Sequence, residues 1–269
     1  MRGNCLERLA IQMYTVHEHA WKDLENTLHQ IRALGYRSIE YYGHYSRFNI
    51  KEAAHMEERT GVKMVGWHTE WEDLQADTYE QTVSSLEQAG CPLIVVPCLG
   101  GEWNVAHTKQ DECKEIWLRH IEWLNEIGMK LKDRGIRLAY HNHDHEFLLE
   151  YEGKKVFDML FENLSPDIML EFDTGRALCA GEDCKKILHQ YGDREALIHL
   201  KPYSKDNGYD SILGDPADEN DVKGILHAYP GEFQWIMLES ESRRFDELEN
   251  ARMNAEAIKS ILANDSDKS

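Results

Sequence analysis

At 269 residues the chain can bury a large core, a length that suits one large α/β domain or two small ones. Its 49 acidic and 30 basic residues give a formal charge of −19, and no block of Lys or Arg offsets that balance, which excludes a sequence-independent grip on nucleic acid. The opening Met-Arg-Gly-Asn-Cys-Leu-Glu-Arg lacks an apolar signal region, and no run approaches the ~18 apolar residues of a membrane span. A soluble, cytoplasmic protein with no membrane partner is therefore expected. Its six dispersed cysteines read as reduced thiols, since no Cys-x-x-Cys pair occurs.

In chain order, the first predicted strand is Leu9-Ala-Ile-Gln-Met-Tyr14. An amphipathic stretch, a glycine and a short apolar or β-branched run then recur, as Gly35-Tyr-Arg-Ser-Ile-Glu40, Gly61 to His68, Gly90 to Cys98 and Gly135-Ile-Arg-Leu-Ala-Tyr-His141. Glycine just past a helix takes the left-handed conformation without a Cβ penalty. The helical stretches carry apolar residues on single faces, as with Leu24, Leu28 and Ile31, then Trp117, Ile121, Leu124 and Leu131. Three more strands follow, at Asp167 to Asp173, Ala196 to His199 and Glu232 to Glu239. The last helix spans roughly 246–263, and Asn264 to Ser269 read as a frayed polar tail.

Eight strand and helix units in about 250 residues fit a single-domain α/β fold, the (β/α)8 barrel, over residues 1–269. An open doubly wound sheet is the rival, but the Gly-x-Gly-x-x-Gly loop expected after its first strand is missing. The predicted strands end at Tyr14 (with Gln12), Glu40, His68, Cys98, His141, Asp173, His199 and Glu239, all but Cys98 polar or ionisable. In a barrel these converge on one mouth, where barrel chemistry resides.

His141, Asp173, His199 and Glu239, from four consecutive strands, form a candidate site for a divalent metal ion. Mixed nitrogen and oxygen donors suit Mn²⁺, Fe²⁺, Co²⁺, Ni²⁺ or Zn²⁺ better than Ca²⁺, and the lack of cysteine donors argues against a structural zinc. The metal would polarise a substrate carbonyl or hydroxyl. Gln12, Tyr14, Glu40, His68 and Arg176 are candidate substrate contacts, and Lys201 could stabilise a developing oxyanion. Trp67, Trp71 and Trp103 near strand ends could pack on a sugar ring or fill the core, and His17, His19, His44 and His107 lie in other mouth loops.

Tyr140-His-Asn-His-Asp-His-Glu-Phe147, Leu170-Glu-Phe-Asp-Thr-Gly175, Ile198-His-Leu-Lys201 and Leu238-Glu-Ser240 together resemble the sugar phosphate isomerase/epimerase family, the xylose-isomerase-like TIM barrels. The resemblance covers nearly the whole chain. It implies a metal, most often Mn²⁺ or Mg²⁺ with Co²⁺ or Zn²⁺ possible, held at the mouth by Asp173, His199, Glu239 and a strand-five residue. It also implies a sugar, polyol or keto-sugar substrate and proton transfer next to a carbonyl; whether the chain forms a homo-oligomer is not set by the sequence.

His141 departs from the epimerase pattern, which has a glutamate there as half of an acid and base pair. The His-Asn-His variant is similar to the branch containing inosose-dehydratase-like and keto-sugar-processing proteins. Candidate bases are then Glu239, His143 and Glu146. Isomerisation or epimerisation is the first expectation, and elimination through the same enediolate is the alternative. A DNA-acting endonuclease on this barrel is disfavoured by the chain's acidity, and a binding barrel without turnover is the remaining reading.

Overall fold

The structure, a computed structural model, describes residues 5–100 and 113–266. Eight parallel strands close a barrel: β1 (Leu9–Gln12), β2 (Ser38–Tyr42), β3 (Lys63–His68), β4 (Leu93–Pro97), β5 (Arg137–His141), β6 (Met169–Asp173), β7 (Ala196–Leu200) and β8 (Ile236–Leu238). Each strand pairs with its neighbours in sequence, and β1 closes on β8 through Leu9 with Ile236, Ala10 with Met237 and Ile11 with Leu238. The expected (β/α)8 fold is therefore correct.

Glycine caps place the strands as the sequence suggests. Gly35, Gly61 and Gly90 take positive φ at the ends of the helices Leu24–Leu34, Met56–Thr60 and Tyr79–Ala89, and Gly135 does so two residues after Lys114–Asp133. Leu28, Ile31, Trp117, Ile121, Leu124 and Leu131 are all buried against the barrel. Trp67 also belongs to this outer core, stacked on Tyr41 with ring centroids 4.6 Å apart, and Trp71 is half-buried beside Trp123. Neither tryptophan lines the mouth cavity. Trp103 and His107 lie outside the described residues.

Strand periodicity builds the site. Side chains alternate between barrel interior and helix layer, so residues two apart on one strand share a face. The interior holds a small apolar cluster that includes Ala10, Val95, Ala139, Met169, Leu197 and Met237. Two residues further along these strands stand Gln12, Pro97, His141, Glu171, His199 and Glu239. An apolar plug thus carries a polar layer directly above it.

Several boundaries differ from expectation. β1 stops at Gln12, and Met13–Val16 form a 3-10 turn that leaves Tyr14 39% exposed on the rim. β2 runs on to Tyr42, so Glu40 is inside the strand. β8 has three residues, with Glu239 just beyond it, and Cys98 follows β4 with φ 48. The final helix extends from Glu247 to Ser266, so the predicted tail begins too early. A two-residue ribbon, Glu150–Tyr151 with Lys154–Lys155, is an addition the sequence reading lacks.

The β2 and β3 pairing shifts register at Glu40, which faces Gly66. A Cβ on Gly66 would lie 2.6 Å from Glu40 Oε1, and the Glu40 carboxylate is fixed by Gln12, His68 and His199. Gly66→Ala is expected to destabilise the protein by about 1–3 kcal/mol, measured by denaturant unfolding. An unchanged midpoint would show that this carboxylate is free to move.

Candidate active site

The polar layer forms the floor of a cavity of about 440 Å³ at the carboxyl ends of the strands. Gln12, Tyr14, His68, Cys98, His141, His143, Arg176 and Glu239 line it, together with Glu70 and Glu241. Glu40 and Lys201, expected to touch substrate, are buried and do not line it. Glu40 instead accepts from Gln12 Nε2 at 2.8 Å and lies 2.9 Å from His68 Nε2, while Lys201 supports the carboxylates of Glu239 and Glu241 from behind. Their long side chains turn sideways because the interior offers them carboxylate or imidazole partners.

His141, Asp173, His199 and Glu239 come together, each offering one donor atom within 4.8 Å of the others. Nε2 of His141 is 3.7 Å from Asp173 Oδ2, and Nδ1 of His199 is 2.9 Å from Glu239 Oε2. Asp173 ends β6 and caps the next helix through Oδ1, which accepts from the Arg176 amide. Its Oδ2 is buried with no hydrogen-bond partner. Burial, with the neighbouring Glu239 charge, raises the Asp173 carboxyl to about 6. For Glu239, burial is outweighed by the Lys201 ammonium and by His199, which hold it well below the usual carboxylate range.

A second set, His68, His141, Glu171 and His199, lies alongside and shares two imidazoles with the first. Here every nitrogen already meets a carboxylate: Glu171 Oε2 is 2.8 Å from His68 Nε2, 3.0 Å from His141 Nδ1 and 3.2 Å from His199 Nε2. Burial works against a charge on His68, but Glu40 and Glu171 outweigh it and raise its pKa to about 10. Burial lowers His141 to about 3, so its imidazole is neutral. Protons therefore join the three imidazoles of this set to Glu171 Oε2, while Glu171 Oε1 has no hydrogen-bond partner. In the first set Asp173 Oδ2 lacks a hydrogen bond, with His141 Nε2 at 3.7 Å and Lys201 Nζ at 3.8 Å, and the two imidazoles and two carboxylates of that set suit a divalent transition ion.

Each of the three candidate bases has partners. Glu146 is fully buried, takes the Tyr140 hydroxyl at 2.6 Å and the His143 amide at 2.8 Å, and does not line the cavity. Glu239 is held by Lys201 and His199. His143 lines the cavity with its ring beside the Cys98 thiol, whose Sγ is 2.9 Å from Nδ1. Burial holds His143 well below its usual range and pushes the Cys98 thiol up, so both are neutral.

Arg176 lines the cavity but is paired with Glu241 at 2.9 Å, and its guanidinium lies over the Tyr209 ring at 4.4 Å. His17 and His19 are tied to Glu247 and Asp246 on the rim, and His44 to Asp73. The sequence reading missed Glu171 and Glu70. Glu171 was findable, since it shares the face of Asp173 two residues on. Glu70, in the loop after β3, has its carboxyl raised by burial in the cleft and by Glu72 and Asp73; no strand period marks it.

Residues 28–262 match the xylose isomerase-like TIM barrel family. An inosose dehydratase from Clostridium perfringens is 34% identical over 94 residues, a match spanning 35% of this chain and 31% of that protein. Among solved structures, a sugar phosphate isomerase/epimerase from Parabacteroides distasonis superimposes with TM-score 0.79 at 18% identity, covering 97% of this chain and 96% of its own. The IolI protein, solved with a bound zinc atom, superimposes with TM-score 0.69 at 14% identity, covering 96% and 98%. Among the described residues, no helix is long and apolar enough to cross a membrane.

Proposed function

The chain belongs to the xylose isomerase-like TIM barrel family, and from that premise we propose that it is a divalent-metal-dependent lyase that dehydrates a keto-sugar or keto-cyclitol. His141, Asp173, His199 and Glu239 would hold the metal, with Mn²⁺, Co²⁺ or Zn²⁺ suited to the donors. When bound, such a cation supplies Lewis-acid polarisation of the substrate carbonyl, which acidifies the adjacent C–H. His143 accepts that proton on its neutral ring, and the electron pair of the broken C–H bond forms the new double bond. Glu70, a carboxyl kept protonated to higher pH than usual, gives its proton to the β-hydroxyl as the C–O bond breaks, releasing water.

One observation carries elimination over epimerisation. The strand-five position holds His141, whose two nitrogens are turned to Glu171 and Asp173, so no second glutamate stands there to exchange a proton on the opposite face. The relative named inosose dehydratase supports the same direction. Arg176 in the cavity lining and the buried Lys201 are matched by carboxylates, which suits an uncharged sugar better than a phosphorylated one.

The test is incubation of the metal-loaded enzyme with an inosose and with a keto-glycoside in deuterated water. Loss of water or aglycone supports the lyase. Deuterium in recovered substrate or its epimer, without elimination, supports the isomerase instead. His143→Gln is expected to lower kcat by about 10²–10⁴-fold with metal content unchanged; wild-type turnover in that variant would remove His143 from the base role.

A further inference from the structure

Glu171 joins three histidines inside the barrel. It is fully buried, and one oxygen, Oε2, lies within hydrogen-bond distance of three imidazoles, from β3, β5 and β7. Its β-ladder partner is His141, so the contact with that ring is fixed by backbone register. An ionised carboxylate only accepts hydrogen bonds, so each nitrogen facing it carries a proton.

For His141 the proton is then on Nδ1, and Nε2, which faces Asp173, keeps its lone pair. His199 holds a proton on Nε2, between Glu171 and Glu40, and Nδ1, which faces Glu239, is the nitrogen left to lose one. The His141 lone pair points to the set with Asp173 and Glu239, and His199 Nδ1 joins it once its proton leaves. The alternative set with His68 needs the opposite nitrogens, Nδ1 of His141 and Nε2 of His199, to be bare.

We propose that Glu171 is a positioning residue that fixes the tautomer of His141, holds the proton on His199 Nε2, and thereby selects the outer of two overlapping coordination sets. Removal of its charge also lowers the basicity of both imidazoles, and such supporting carboxylates commonly contribute about 10–100-fold to metal affinity. The inference rests on the metal reading given above, although the tautomer of His141 is a property of the metal-free protein.

The experiment compares wild type with Glu171→Ala and Glu171→Gln. Long-range ¹H–¹⁵N correlation spectra of ¹⁵N-histidine-labelled, metal-free protein report the tautomers, and chelator competition reports Co²⁺ affinity. The wild type is expected to show His141 protonated on Nδ1. E171A should show that preference lost and Co²⁺ affinity lower by about 10–100-fold. E171Q, which keeps an acceptor oxygen and the side-chain shape, should fall between the two and retains the test if E171A does not fold. Unchanged His141 tautomer and affinity in E171Q and E171A would overturn the proposal, as would a wild-type His141 protonated on Nε2. A wild type that binds no Co²⁺ yet has the expected tautomers would refute the metal reading and leave the positioning role of Glu171 standing.

Discussion

Asp173→Asn is expected to leave the metal-free protein more stable than the wild type at pH 8 while removing its affinity for divalent cations. The Asp173 carboxyl is raised to about 6 from an ordinary 3.8, mainly by burial. A carboxyl raised in the folded state favours folding while protonated, so its contribution is complete below about pH 4 and is lost as pH rises through 6. Above that, the buried charge costs about 1–3 kcal/mol, which asparagine avoids. Asparagine can still cap the following helix through its oxygen, and its amide can donate towards His141 Nε2, which faces Oδ2 at 3.7 Å. Thermal unfolding should place D173N a few degrees above the metal-free wild type at pH 8 and close to it at pH 4.5. The reverse order at pH 8 would show that the Lys201 ammonium, 3.8 Å from Oδ2, outweighs the cost of burial.

Stripping the metal is expected to abolish turnover, by at least about 10³-fold, with recovery on addition of Mn²⁺, Co²⁺ or Zn²⁺. The same titration has a defined pH dependence. Burial disfavours a charge on His199, but Glu171, Glu239 and Glu40 outweigh it and raise this imidazole well above its usual range, so the metal-free ring is cationic. Ligation requires the proton on Nδ1 to leave. Metal affinity should therefore rise with pH, by about tenfold per unit while His199 is protonated, with about one proton released per ion bound. A pH-independent affinity between 6 and 8 would mean that His199 is not a ligand, and full activity after exhaustive chelation would remove the metal from the chemistry.

Much of this site is legible in the sequence because barrel geometry converts strand ends into a list of mouth residues. Gly35, Gly61, Gly90 and Gly135 mark where helices stop, and His141, Asp173 and His199 then fall where short apolar runs finish. The limits have a physical cause. Glu171 and Glu40 stand inside strands, where a charged side chain needs buried partners, and those partners come from other strands that a linear reading does not bring together. The face rule alone would have found Glu171, since it lies two residues before Asp173. Lys201 and Glu146 went to substrate and base roles in the sequence reading because their partners Glu239, Glu241 and Tyr140 become visible only with packing. Glu70 sits in a loop, where no period constrains orientation.

The central claim is that one divalent ion sits between His141, Asp173, His199 and Glu239, with an open side towards the cavity. An anomalous-difference map from crystals grown with Zn²⁺ tests it most directly. The account predicts a single strong peak about 2.0–2.2 Å from His141 Nε2, His199 Nδ1 and carboxylate oxygens of Asp173 and Glu239. A peak bounded by His68 Nε2, His141 Nδ1, His199 Nε2 and Glu171, or no peak within the mouth, would contradict it.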